Sequence, residues 1–257
     1  MRLYYHDDLA KIYHGDAFEY LSKVKDHTID LIVTDPPYFL SNGGFSNSGG
    51  KMVSVNKGKW DEAKGVNVEF FYDNLIREFK RILKKDGSFW IFGNMHNIYL
   101  LGYLIQKHDL KILNNITWQK SNPAPNLSCR MFTHSTETIL WGKNRSGKQT
   151  FNYALMKAEN DNRQMKDVWT TSNTSKGEKR FGKHPTQKPL AIIERIIKAS
   201  SVPGMTVLDP FIGSGTTAVA CKKYDCKVIG VDSELEYLRI AKKRIIDYQN
   251  EKVGKIQ

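Results

Sequence analysis

Hydrophobic and polar positions along the chain follow two periods. Short apolar runs end in acids at Lys11–Asp16 (KIYHGD), Ile29–Asp35 (IDLIVTD), Thr206–Asp209 (TVLD) and Lys227–Asp232 (KVIGVD). With Ser88–Gly93 (SFWIFG), Leu110–Lys120 (LKILNNITWQK) and Glu137–Lys143 (ETILWGK), they have the length and composition of strands. The segments between them carry the helical period. In Val68–Gly87 the residues Phe71, Leu75, Phe79 and Ile82 fall on one face, and Gly87 marks the stop. Helices are also predicted over Ala17–Lys25, Met95–Asp109, Pro189–Ser200, Thr216–Asp225 and Glu234–Gln249, the last one amphipathic. Regular patterning fails from about Asn144 to Gly182, and no internal repeat is present. Strand–helix alternation predicts a single α/β domain over residues 1–257. Its core is a mostly parallel, about seven-stranded, doubly wound sheet covered on both faces. Ligands of such sheets bind beyond the carboxyl ends of the strands.

Composition adds little to this picture until charge is counted. A chain of 257 residues, 40% hydrophobic and 26% charged, can bury one good-sized α/β core. No run of about 18 apolar residues is present, so no membrane span is expected. The start, MRLYYHDDLA, has no apolar segment of the signal-peptide kind. Cys129, Cys221 and Cys226 lack metal-ligand spacing. No metal site is expected, and a reduced, cytoplasmic setting is the default. Net charge is +12. Such a surplus of Lys and Arg predicts a polyanion partner, whose phosphates would release counterions on binding. A basic, well-solvated surface is the alternative, and charge alone does not choose.

The strand ends carry the chemistry. Asp16, Asp35, Asp209 and Asp232 each close a predicted strand. One such acid is a common turn signal or helix cap; four on one sheet edge suggest a site lined with hydrogen-bond acceptors. The stretch Leu208–Ala218 (LDPFIGSGTTA) lies between a strand and a helix. Its Gly213 and Gly215, followed by Thr216, let the backbone turn tightly and approach a ligand, and Phe211 can cover one. The spacing fits a dinucleotide fingerprint, with Asp232 at the next strand end placed for ribose hydroxyls. Two features argue against a nicotinamide enzyme. Asp209 would repel a pyrophosphate but attract an ammonium group, and only Ser233–Gln257 follow Asp232. A cofactor with adenosine at one end and an amino acid at the other suits the loop better. Read from the C-terminal part of the chain back to its start, TVLD, KVIGVD and KIYHGD become successive strands and IDLIVTD the fourth. Asp209, Asp232 and Asp16 then face the ammonium, ribose and adenine amine of one extended cofactor. Termini near each other at the surface permit such a permutation.

Asp35–Pro36–Pro37–Tyr38 (DPPY), His184–Pro189 (HPTQKP) and Asp209–Thr217 (DPFIGSGTT) resemble motifs of the DNA amino-methyltransferases. Their order resembles the circularly permuted β class, with its Rossmann-like methyltransferase fold. The segments SNGGFSNSGGKMVSVNKGKW and WQKSNPAPNLSCRMFTHSTETILW are similar to the second methyltransferases of DpnII-type restriction–modification systems, which methylate adenine N6 in GATC. The resemblance implies S-adenosylmethionine as cofactor and DNA as substrate. It implies that Asp35 and the Pro36 carbonyl accept the target amine's N–H bonds, that Pro37 fixes the turn, and that the Tyr38 ring stacks on an extruded base. It also places Thr186 and Lys188 near the methionine carboxylate, just before Pro189, the first residue expected in the next helix.

Base reading is expected from a target-recognition insert at about residues 120–183, rich in Asn, Ser, Lys and Arg, including Arg130, Arg145, Arg163 and Arg180. Residues 41–59, rich in Gly and Ser, are expected to be a mobile loop able to close over the base. A cytosine-N4 methyltransferase shares the architecture, but more often has Ser before the two prolines. A non-catalytic binding module would not need an intact Asp35, Pro36 and Tyr38. Pro-Cys, the nucleophile pair of cytosine-C5 enzymes, is absent from the sequence. Single-stranded as well as duplex DNA is expected as substrate, since extrusion is least costly for an unpaired base. A homodimer is left open.

Overall fold

The computed structural model describes residues 1–40, 45–48, 51–54 and 67–254. One nine-stranded sheet runs β1-β2-β11-β10-β3-β6-β8-β7-β9. In chain order, β1 is Arg2–His6, β2 Ala10–His14, β3 Ile29–Thr34, β6 Leu83–Gly93, β7 Leu110–Lys120, β8 Thr136–Asn144, β9 Val168–Thr171, β10 Thr206–Asp209 and β11 Lys227–Asp232. The neighbours β2, β11, β10, β3 and β6 are all parallel, whereas β8 is antiparallel to both β6 and β7. The helices are α1 (Ala17–Leu21), α2 (Val68–Ile82), α3 (Ile98–Lys107), α4 (Tyr153–Ala158), α5 (Leu190–Ser200), α6 (Thr216–Lys223) and α7 (Leu235–Gly254).

Strand side chains alternate between two apolar layers, as period-2 geometry requires. Leu31, Val33, Trp90 and Phe92 pack with Ile192, Ile196 and Leu238 of α5 and α7. Ile32, Phe89 and Ile91 pack on the other face with Leu75, Phe79 and Leu101 of α2 and α3. Strands buried on both faces read as continuous apolar runs, which is why their sequences show no alternation. The chain leaves β10 toward β11 in one direction and leaves β3 toward β6 in the other. The carboxyl ends of adjacent β10 and β3 therefore border a crevice where connections diverge, the usual ligand position in an open α/β sheet.

The seven expected strands are present, and two more flank them. β1 pairs with β2 as an outer hairpin, its turn held by Leu9 and Ala10 N–H groups donating to Asp7. β9 and α4 lie inside the stretch where the sequence shows no pattern; four residues around buried Trp169 are too few for a period to register. The helix expected to reach Gly87 stops at Ile82. Leu83 turns extended and joins β6, because its side chain belongs in the core and its backbone pairs with Ile29. Pro189 caps α5 from an extended conformation (ψ 137°) instead of entering it. Within residues 41–59, strands β4 (Phe45–Ser48) and β5 (Lys51–Ser54) pair antiparallel; the rest of that expected mobile loop lies outside the described residues. The expected insert at 120–183 also contains β8, a central strand between β6 and β7. Among the described residues no helix is long and apolar enough to cross a membrane, and no cluster could hold a metal ion.

Candidate active site

Three strand ends and one turn build the site. The loop after β10 bends through Gly213 and Gly215, both in the left-handed region (φ +49° and +79°), where a side chain is strained. A Cβ on Gly213 would lie 2.9 Å from His184 Nε2, and one on Gly215 would lie 2.7 Å from the Ala241 Cβ. The first glycine thus lets the loop approach the HPTQKP segment, and the second lets α6 start against α7. Gly213 N–H donates to Asp232 Oδ2 at 2.9 Å, tying this loop to the end of β11. Arg244, buried on α7, donates to the Ser214 carbonyl and to Thr216 Oγ1 at 2.9 and 2.8 Å. No sequence motif singles out Arg244; a helical basic residue looks the same whether it faces solvent or a loop.

This loop borders a cavity of about 270 Å³. Asp16, Asp35, Pro37, Thr186, Lys188, Asp209, Phe211, Gly213, Thr216 and Asp232 all line it. Gly215 does not, and serves packing instead. The acids differ in state. Burial pushes the Asp209 carboxyl up to about 7, against hydrogen bonds from the Thr217 hydroxyl and the Phe211 N–H. Burial likewise raises Asp232 to about 6. Asp16 is exposed and also caps α1 by accepting from Glu19 N–H at 2.8 Å. Phe211 is partly buried against Phe71, with ring centroids 6.0 Å apart, so it is both packed and cavity-facing. Acceptors at three neighbouring strand ends, with an apolar wall between them, fit the ammonium, ribose and adenine of S-adenosylmethionine.

The DPPY turn follows β3. Asp35 Oδ1 accepts from the Tyr38 hydroxyl at 2.7 Å, and Oδ2 accepts from Lys188 Nζ at 2.5 Å. The Pro37 carbonyl accepts from the buried Tyr72 hydroxyl at 2.6 Å, which in turn accepts from Asn97 Nδ2. Phe39, immediately after the turn, has φ +55°, an uncommon conformation for a residue with a Cβ. Tyr72 and Asn97 thus hold the turn from α2 and α3. They read from sequence as ordinary core and helix-entry residues. Tyr38, 8% exposed, does not line the first cavity but faces a wider one of about 640 Å³. The two cavities share Thr186, Gln187 and Lys188. Pro36 is buried and lines neither.

Lys188 lines both cavities. Its ammonium is turned onto Asp35, with Glu137 of β8 at 3.4 Å, rather than left available to a carboxylate ligand. Burial opposes its charge, but Asp35 and Glu137 outweigh that and hold its pKa up. Glu137 is held low by Lys188 and by Lys120 against burial, while burial, with Glu137 nearby, raises Asp35. Of the arginines in the expected insert, Arg130, Arg145, Arg163 and Arg180 are all exposed; Arg145 pairs with Asp109 and Arg180 with Asp247.

Residues 29–243 match the DNA methylase family, a span holding the turn, the HPTQKP segment and the glycine loop. The chain belongs to this family. The methylase is 55% identical over 245 residues to the type II methyltransferase M2.LlaDCHI of Lactococcus lactis subsp. cremoris, covering 94% of this chain and 91% of that one. It is 54% identical, at the same coverages, to M2.DpnII of Streptococcus pneumoniae. Among solved structures, that of M1.HpyAVI with S-adenosylmethionine superposes with a TM-score of 0.69 at 29% identity, covering 92% of this chain and 99% of that one. The cytosine-N4-specific PvuII methyltransferase superposes at 0.75 with 18% identity over 97% and 94%, and shares the fold. The methylase is a DNA methyltransferase of a restriction–modification type that uses S-adenosylmethionine.

Proposed function

We propose that this methylase transfers a methyl group to the N6 amine of adenine in GATC, as the modification partner of a restriction system, on duplex and single-stranded DNA. The observation that carries the reading is the Asp35 carboxylate, which lines the first cavity and is hydrogen-bonded to Tyr38 and Lys188 on the wall of the wider one. Adenine's exocyclic amine is a poor nucleophile, because its lone pair is delocalised into the ring. Asp35 accepts one of its N–H bonds and draws the nitrogen toward tetrahedral geometry; the Pro36 carbonyl, the second acceptor that the resemblance implies, lines neither cavity. S-adenosylmethionine supplies a sulfonium methyl. The N6 lone pair forms the new N–C bond, the C–S pair returns to sulfur, and one N6 proton leaves by way of Asp35. The wider cavity, with Tyr38 on its wall, takes the extruded base. Asp rather than Ser before the prolines favours adenine over cytosine. The GATC site follows the likeness to second methyltransferases of the DpnII type. The 120–183 region supplies base contacts.

Labelled methyl transfer to a GATC duplex, followed by nucleoside analysis, tests this reading. N6-methyladenine dependent on GATC is expected; N4-methylcytosine, or incorporation indifferent to the site, would overturn it. A GATC oligonucleotide that cannot self-pair should be methylated above a scrambled strand. Incorporation equal to the scrambled control removes single-stranded DNA from the proposal.

A further inference from the structure

Both oxygens of Asp35 are already hydrogen-bonded, yet a target amine needs one of them. The Tyr38 hydroxyl belongs to the same turn. Lys188 reaches Oδ2 from another element, 153 residues away in sequence, on a long side chain with rotatable bonds. A second carboxylate lies within its range. Glu137 Oε2 is buried, 3.4 Å from Lys188 Nζ, and has no hydrogen-bond partner among the described residues. Its other oxygen holds Lys120 at 2.6 Å. Glu137 and Lys188 both line the wider cavity beside Tyr38. A buried carboxylate oxygen left without a hydrogen bond is costly unless it serves a purpose.

We propose that Lys188 is a positioning residue that exchanges its ammonium between two carboxylates, ceding Asp35 Oδ2 to the target amine and passing to Glu137 Oε2. The inference rests on the reading of Asp35 as the amine's acceptor. The exchange needs no backbone movement, since the two oxygens flank one Nζ. It keeps the lysine from becoming an unpaired buried cation at any point, a state that would be strongly disfavoured. It leaves the Asp35 charge directed at the amine when the lone pair must be freed. It also makes Asp35 less available to groups that cannot compete with an ammonium, which adds to the selection of a correctly seated amine.

The test is single-turnover methyl transfer to a GATC duplex by excess enzyme saturated with S-adenosylmethionine. Glu137→Gln removes the receiving charge, so Lys188 stays on Asp35 and the rate should fall about tenfold or more, as for loss of an interaction made only on the way to the transition state. Adding Lys188→Gln removes the competitor, so the double variant should be several-fold faster than Glu137→Gln alone. A pair that merely braces β8 against the HPTQKP segment predicts a double variant as slow or slower. That result, or an unchanged rate in Glu137→Gln, overturns the exchange. Calorimetric S-adenosylmethionine binding reports that each variant is folded. A measurement on the unaltered chain covers a Glu137→Gln that does not fold. In protein labelled at lysine side chains, the Lys188 signal should move with a GATC duplex and stay in place when unsubstituted purine, which lacks the amine, replaces the target adenine. Equal movement with both duplexes overturns the proposal. Asp35→Asn keeps the failures apart: if it methylates normally, the reading of Asp35 fails rather than the exchange.

Discussion

At the scale of single residues, Asp35 and Asp209 show how burial divides similar acids into different tasks. Asp35 meets a lysine and a tyrosine and lines the cavity of about 270 Å³. Asp35→Ala should lower methyl transfer by about 10²-fold or more, the usual scale for losing a proton-accepting group. Cofactor affinity measured by calorimetry should stay near normal. The Tyr38 hydroxyl has a role that a stacking ring alone does not explain, because it donates to Asp35 at 2.7 Å. Tyr38→Phe keeps the ring but loses a hydrogen bond that favours the Asp35 carboxylate. Its rate should fall modestly, and the acidic limb of its pH–rate profile should move to higher pH; an unmoved limb would separate the hydroxyl from Asp35. Asp209 gives a prediction about stability. Its carboxyl titrates near 7 in the fold against an ordinary value of 3.8. The folded state therefore holds its proton more tightly, and stability present below pH 3.8 is lost as pH rises through about 7. The Tm of Asp209→Asn relative to the unaltered protein should rise across that window and level off above it.

At the scale of elements, the glycine loop after β10 and the HPTQKP segment before α5 form one contact surface. Gly213→Val meets both a left-handed φ and the His184 ring. Backbone strain alone is of the order of 1–3 kcal/mol, so cofactor binding should weaken about fivefold or more while α6 and α7 remain packed. The comparison of calorimetric affinity with Tm separates the two effects: an equal fall in both would assign Gly213 to the core rather than to the cavity. The sequence pattern places α6 and β10 correctly, because a glycine pair between strand and helix has few alternatives. It misplaces the end of α2, because Leu83 is apolar in either reading and its pairing with Ile29 is a contact between distant positions.

At the scale of the whole molecule, the net charge of +12 acts on DNA and not on the small cofactor. DNA affinity should fall steeply and linearly on logarithmic axes as salt rises, with a slope of about −0.9 per neutralised phosphate. S-adenosylmethionine affinity should change little over the same range. Filter binding or anisotropy at several salt concentrations, beside calorimetry, checks both; a flat DNA response would remove backbone phosphates as the main source of affinity. The doubly covered sheet gives that binding a fixed frame, since β10 and β3 hold Asp209 and the DPPY turn on neighbouring strand ends.

Local sequence alone determined the seven central strands, most of the helices around them, the order of the three motifs and the acids at the strand ends. These features depend on neighbours within a few positions, such as apolar period, proline, glycine and a terminal acid, so they are legible without a fold. Tertiary structure decided which groups meet. Lys188 meets Asp35 at the end of β3 and Glu137 on β8, a strand from the middle of the chain. Arg244 holds the glycine loop because α7 packs across it, and Tyr72 holds Pro37 because α2 covers β3. Each of these contacts joins residues far apart in sequence, and its strength comes from burial, which no local pattern records.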